Sequence, residues 1–236
     1  MAPSGGEVRA MFSHIAPRYD LLNRVLSLGL DQFWRRRAVR ALALSPPARI
    51  LDVCCGTGDL SLAFARRGCH VVGIDFSGPM LPLARAKARR RGLPLLFLQG
   101  DALALPVASG NFDGASVAFG LRNLEDPFRG LQELHRILRP GGRVAILEFF
   151  SVEGVLWGRL FRFYFHVLLP RLARLTRVAR NGAYAYLPAS VDEFVSAAAF
   201  RAWIPAAGFE LLADQKLAGG VARLMILRKP ESRFFA

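Results

Sequence analysis

An α/β fold built on a mostly parallel sheet is the architecture this sequence predicts, and three observations predict it. Between Arg49 and Glu148, short apolar runs alternate with helical patterns over short connections, the mark of a sheet covered on both faces. The first run, Ile50 to Val53, passes into the turn Gly56-Thr-Gly58 and a helix start near Asp59. Glycines there let the backbone turn sharply and approach a ligand where a Cβ would collide. The second run, Val71-Val-Gly-Ile-Asp75, ends in an acid about twenty residues beyond the turn, where a nucleotide-binding fold sets a carboxylate against ribose hydroxyls.

Met1 to Glu7 reads as a frayed end. Helix is expected from Met11 to Leu44, because Phe12, Ile15, Tyr19, Leu22, Val25 and Leu26 recur at three- and four-residue steps, with Pro17 and Gly29 dividing the run. Ser45-Pro-Pro47 closes it. After the first strand come a helix from Leu60 to Arg67 stopped by Gly68, the second strand, and a helix to Arg91 capped by Ser77 or Gly78. Leu95–Leu98, Phe112–Phe119 and Arg143–Glu148 read as the third, fourth and fifth strands. A helix opened by Asp126-Pro127 and ended by Pro140-Gly141-Gly142 precedes the fifth. Helix returns from Ser190 to Ala207. Gly208–Ala213 and Val221–Arg228, joined through Gly219-Gly220, make an antiparallel pair.

The chain has 236 residues, 53% hydrophobic and 21% charged, enough for one domain with a sizeable core and too apolar for disorder. Its net charge of +14 favours nucleic acid, an anionic membrane surface or acidic small molecules. Lysine occurs only at Lys87, Lys216 and Lys229, so the charge is carried by arginine. The three cysteines are too few for a disulfide framework, and neither a leader nor a spanning apolar stretch is evident, which predicts a cytoplasmic protein. His14 and His166 lack metal-ligand spacing, and no metal is expected. Cys54 and Cys55 read as packing residues.

Asp52, Asp75 and Asp101 end successive strands, and the carboxyl ends of an open parallel sheet line its ligand crevice. Asp75 would accept from ribose hydroxyls, while Asp101 and the Ala102 amide would hold an adenine edge. A dinucleotide site wants a third glycine where Ser61 stands, and Asp59 adds negative charge at the helix start. That arrangement suits a cationic ligand without phosphate, such as the sulfonium of S-adenosylmethionine.

Five blocks carry a resemblance: Asp52-Val-Cys-Cys-Gly-Thr-Gly-Asp59, Gly73-Ile-Asp-Phe-Ser77, Phe119-Gly-Leu-Arg-Asn123, Leu138-Arg-Pro-Gly-Gly142 with Leu147-Glu-Phe149, and Tyr184-Ala-Tyr-Leu-Pro188. Together they resemble the quinone-biosynthesis C-methyltransferases, which methylate demethylmenaquinol and related polyprenyl benzoquinols. The likeness runs from about Phe12 to Arg228. It implies the class I methyltransferase fold, a Rossmann-like seven-stranded sheet with an antiparallel C-terminal strand pair. One domain is then expected over 1–236: a helical cap (1–48), a cofactor-binding core (49–148), a substrate- and membrane-facing insertion (149–189), and a C-terminal helix with the strand pair (190–236).

The implied cofactor is S-adenosylmethionine, held by Asp52, Gly56, Thr57, Gly58, Asp75, Phe76, Asp101, Ala102 and Ala118; the family sometimes has serine at this last position. Methylating a ring carbon needs an electron-rich arene, so the quinone must be reduced and its phenolic proton lost. Arg122, which similar enzymes place facing the substrate, would stabilise the phenolate or order a water, since arginine stays protonated. An ion pair with a nearby acid is its alternative. Tyr19 lies in helices that similar enzymes fold over the site and is the second catalytic candidate.

The segment Val155 to Arg180, dense in aromatic residues and arginine, suits an interfacial helix on anionic lipid at the inner face of the cell membrane, or else a buried subdomain or homodimer face. A polyprenyl naphthoquinol is the expected acceptor, on the modest hint of Cys54-Cys55, with a methoxy-polyprenyl-benzoquinol as the alternative. An NAD-dependent oxidoreductase is disfavoured by Ser61 and Asp59. An RNA methyltransferase is disfavoured by the absence of an Asn/Asp-Pro-Pro-aromatic block after the fourth strand, so no nucleic-acid partner is expected.

Overall fold

A computed structural model describes residues 5–151 and 183–231. Seven strands form one sheet: β1 (Arg49–Val53), β2 (His70–Asp75), β3 (Leu96–Gln99), β4 (Phe112–Ala118), β5 (Leu138–Phe149), β6 (Glu210–Leu217) and β7 (Ala222–Arg228). Their spatial order is β3-β2-β1-β4-β5-β7-β6. The first five run parallel, and β7 lies antiparallel between β5 and β6. The order reverses between β1 and β4, so a crevice opens at their carboxyl ends.

Strand alternation divides the core in two. On one face Ile50, Ala145 and Leu147 pack with Trp34, Ala38 and Leu42 of α3 (Leu30–Leu42) and with Leu60 and Phe64 of α4 (Asp59–Ala65). On the other, Leu51, Val117, Val144 and Ile146 meet Leu131 and Leu134 of α6 (Pro127–Ile137) and, from a later helix, Phe200 and Ile204. Helix α5 (Met80–Arg90) buries Leu81 and Ala84 against Phe97 of β3. Strands buried on both faces read as continuous apolar runs, which is why β1 and β2 were legible.

Several boundaries differ from expectation. The N-terminal segment folds as α1 (Gly5–Ile15), a 3-10 turn (Ala16–Arg18), α2 (Tyr19–Leu26) and α3, so helix reaches into the end expected to fray. Leu138 to Gly142, expected to end a helix, extends β5 instead: Leu138 pairs with Phe112, and a register shift precedes the Gly114–Arg143 pair. Pro79, not Ser77 or Gly78, occupies the N-cap position of α5, without a side-chain cap. The Ser77 hydroxyl lies 3.1 Å from that of Ser13 in α1. Asp126 caps α6 as its sequence implies, accepting from the Arg129 amide at 2.9 Å. The expected helix 190–207 is two, α7 (Ala183–Glu193) and α8 (Ala197–Ala206), because the Ser196 side chain accepts from the Ala199 amide and starts a new one. Val155 to Arg180 and His166 lie outside the described residues.

Candidate active site

The glycine turn leaves β1 with Gly56 at φ +54 and Gly58 at φ +82, conformations that disfavour any side chain. Neither has room for one: a Cβ on Gly56 would stand 3.3 Å from the Tyr19 ring, and one on Gly58 3.0 Å from Phe97. Tyr19 of the N-terminal cap therefore lies directly on the turn. Burial raises its hydroxyl pKa, partly offset by the Arg35 charge.

Beside the turn lies a cleft of about 980 Å³, counting the solvent-open space at its mouth. It runs along the strand ends, from Gly100 to Leu103 after β3, past Asp75 to Ser77 after β2 and Cys54 with Gly56 after β1, to Phe119 and Gly120 after β4. Phe12 and Tyr19 of the cap close one side. Asp75 Oδ2 accepts from the Gly56 amide (2.7 Å) and Oδ1 from the Ser77 amide (2.8 Å). Burial raises its pKa, partly offset by those two amides. Phe76 is exposed at the cleft with the Arg9 guanidinium 4.9 Å above its ring. Asp101 Oδ1 accepts from the Leu103 amide (2.8 Å).

Of the expected cofactor residues, then, Gly56, Asp75, Phe76, Asp101 and Ala102 line this cleft. Asp52, Thr57, Gly58 and Ala118 do not. Asp52 is 1% exposed and points, two residues after Ile50, into the α4 face, where it accepts from the Ser61 hydroxyl (2.5 Å) and the Ser116 hydroxyl (2.7 Å). It braces the turn from beneath. Burial lifts its pKa from 3.8 to about 6. The folded chain therefore holds this proton to higher pH than the unfolded chain, and stability falls as pH rises from about 4 to about 6. Asp52→Asn, having no such proton to lose, is expected to gain on the order of 3 kcal/mol relative to the wild type across that window, read by chemical denaturation at both ends.

The side chains of Thr57 and Asp59 are engaged within the protein. The Thr57 hydroxyl donates to Asp20 Oδ1 (2.5 Å), and Lys87 Nζ of α5 reaches Thr57 Oγ1 (2.8 Å), Asp59 Oδ1 (2.7 Å) and Asp20 Oδ2 (2.5 Å). Burial pushes the Asp59 carboxyl up, but Lys87, Arg35 and Gln32 outweigh it and hold its pKa below the ordinary value. With its charge compensated by Lys87, Asp59 is not offered to a cationic ligand; it latches the cap through Lys87. Lys87→Met should cost about 1–2 kcal/mol, less than a fully buried pair because the Asp20 side chain is 28% exposed. Limited proteolysis should show earlier cleavage before residue 30.

A second, smaller hollow, about 650 Å³ counting the solvent-open space at its mouth, adjoins the cleft and shares Phe12, Tyr19 and Phe119 with it. Its walls include Met11, Ile15, Leu22, Phe149 and, at the polar end, Arg122 and Tyr186. Phe119 and Phe149 stack at 4.5 Å between centroids, with the Arg122 Cζ 5.4 Å from the Phe149 ring. Arg122 Nη1 donates to Glu148 Oε1 (2.7 Å) and the Phe119 carbonyl (2.8 Å), and Nε to Ser190 Oγ (3.2 Å). The Tyr186 hydroxyl donates to Asn123 Oδ1 (2.9 Å). So Arg122 makes the ion pair of its alternative reading while still lining a cavity. Glu148, Asn123 and Tyr186 lay inside the resembling blocks without an assigned part, whereas Lys87 and Ser190 gave no local signal. Cys54 and Cys55 are held as thiols, their pKa values pushed well up by burial and by nearby Asp75 and Asp52.

A seven-stranded sheet with this order, a glycine turn after β1 and an acid after β2 define a class I methyltransferase that uses S-adenosylmethionine. Solved structures share the fold: the [4+2]-cyclase SpnF superposes with TM-score 0.74 at 20% identity over 98% of both chains, and a SAM-dependent methyltransferase from Aquifex aeolicus with TM-score 0.63 at 18% identity over 85% of this chain and 92% of that one. Residues 3–229 match the ubiE/COQ5 methyltransferase family, and the chain belongs to that family. It is 49% identical to the demethylmenaquinone methyltransferase of Thermus thermophilus over 93% of this chain and all of that one, and 46% identical to that of Deinococcus radiodurans over 87% and 86%. The ubiquinone/menaquinone biosynthesis C-methyltransferase UbiE of Geobacter sp. strain M21 is 40% identical over 96% and 97%.

Proposed function

We propose that this enzyme methylates the ring carbon of demethylmenaquinol, giving menaquinol, the last step of menaquinone synthesis. One observation carries the assignment: a hollow walled largely by aromatic and aliphatic side chains, with the Arg122 guanidinium on one side and Asn23, Ser27 and Asp31 on another, meets the cleft at Phe12, Tyr19 and Phe119. The two relatives of highest identity quoted above bear the corresponding name.

The cleft suits the cofactor, since its length along four strand ends fits an elongated nucleoside with an amino-acid arm. Asp101 and Ala102 would take the adenine, Asp75 the ribose, and the Gly56 turn the methionine portion. When bound, S-adenosylmethionine supplies an electrophilic methyl group. The chain's own residues do the rest. The Phe119 and Phe149 rings, stacked on each other, offer the acceptor ring an aromatic wall. Arg122, fixed by Glu148 and Ser190, faces the ring hydroxyl and stabilises the phenolate that raises electron density at the neighbouring carbon. The phenolic proton and, after methylation, the ring proton at the methylated carbon pass to solvent, which restores the arene. Tyr19, on the boundary of the two cavities, excludes water between donor and acceptor. Thr57 and Asp52 act on the cofactor only through the turn they brace.

The whole chain is read as one methyltransferase domain. Labelled adenosylmethionine, incubated with reduced demethylmenaquinone and separately with a reduced methoxy-polyprenyl-benzoquinol, tests the acceptor. Transfer to the first is expected; activity on neither overturns the reading.

A further inference from the structure

We infer that the turn between α2 and α3, with the outer face of α3, is the surface by which the enzyme docks on an anionic bilayer. The inference rests on the acceptor proposed above, whose polyprenyl tail resides in lipid.

Leu28 is 71% exposed, Phe33 52% and Leu30 41%, and Leu21 in the preceding helix 54%. Large apolar side chains concentrated in so short a stretch mark an interaction surface. Leu28 in addition adopts φ +52, a left-handed conformation unfavourable for leucine, and its side chain gains no burial in return. The turn presents this leucine outward at a cost the folded monomer does not recover.

Helix α3 is divided lengthwise. Asp31, Trp34, Arg35, Ala38, Val39 and Leu42 face inward, whereas Leu30 and Phe33, then Arg36, Arg37 and Arg40, face out. The outward face has apolar groups at its N-terminal end and guanidinium groups at its C-terminal end, with no acid among them. Arg36 Nε donates to the Gln32 carbonyl and Arg37 Nε to Gln215 Oε1, both neutral, and neither arginine has an ion pair among the described residues. Arg18 and Arg24 are exposed in the segment before. Leucine and phenylalanine entering the acyl boundary while arginines contact lipid phosphates is the composition of an interfacial helix.

Position agrees with charge. Ser27 and Asp31, the residues on either side of Leu28 and Leu30, line the second cavity. An acceptor ring there would have its tail leave within about one helical turn of the exposed leucines. The docking surface and the acceptor cavity are thus adjacent, and the tail need not cross water.

The test is co-sedimentation with phosphatidylglycerol-containing vesicles and with neutral phosphatidylcholine vesicles, using the wild type and the double variant Leu28→Asp/Phe33→Asp. Both positions are exposed and outside the site, so cofactor binding should be unchanged. The wild type should bind the anionic vesicles, with loss in high salt, and the double variant at least about tenfold less. Methyl transfer to long-tailed quinol in those vesicles should fall by a similar factor, with transfer to a tail-less naphthoquinol unaltered. Equal vesicle binding by wild type and variant overturns the inference, as does equal wild-type binding to neutral and anionic vesicles. Sedimentation velocity covers the rival occupant, a second copy of this chain: a wild-type dimer made monomeric by the substitutions, with vesicle binding retained, also overturns it. Failure of the wild type to methylate any naphthoquinol would instead refute the acceptor, leaving vesicle binding to decide the docking surface.

Discussion

Asp75→Ala should raise the dissociation constant for S-adenosylmethionine roughly 100-fold, measured by calorimetry. Hydrogen bonds to a charged group contribute about 1.5–3 kcal/mol, and the carboxylate would accept from the ribose while also holding the Gly56 and Ser77 amides. Asp75→Asn keeps one acceptor oxygen, and its loss should be about tenfold. Because burial raises the Asp75 pKa, it takes up a proton at higher pH than an ordinary carboxylate. Affinity should therefore begin to fall, on acidification, before an exposed aspartate would titrate, and Asp75→Asn should lose that dependence. An alanine variant within about threefold of wild type would place the ribose elsewhere.

Arg122→Ala should lower turnover about 10²- to 10³-fold with cofactor affinity nearly unchanged, the effect of removing one preorganised donor from a developing oxyanion. Folding complicates the reading, because Glu148, 1% exposed, would be left without its cation. Breaking a buried pair from one side costs about 3–5 kcal/mol. Arg122→Met/Glu148→Gln removes both charges and should recover much of that stability without recovering turnover. If the double variant regains activity, Arg122 serves the fold alone. Loss of cofactor affinity in Arg122→Ala would equally contradict its role at the acceptor.

The two residues differ in how they could be found. Asp75 stands at a fixed distance along the chain from the glycine turn, and that spacing is local. Arg122 was reached through the resemblance of its block, and its partners Glu148 and Ser190 lie 26 and 68 residues away. Asp52, Asp75 and Asp101 looked equivalent because each ends a strand, yet Asp52 points to the α4 face while the other two line the cleft. Side-chain alternation along β1 decides this, and no count of acids reveals it. Asp59 was read as free charge for the sulfonium because its partner, Lys87, is 28 residues on in another helix.

The sequence by itself determined the strand-helix alternation, the glycine turn, the acid after β2 and the family. These depend on periodicity and short spacing, which survive in one dimension. Only the tertiary structure decided that Tyr19 lies over the turn, that Lys87 ties the cap to it, and that a second cavity joins the cleft beside Arg122. Each is a contact between elements far apart in the chain, specified by how α2, α5 and the ends of β4 and β5 pack together, so no local pattern encodes it.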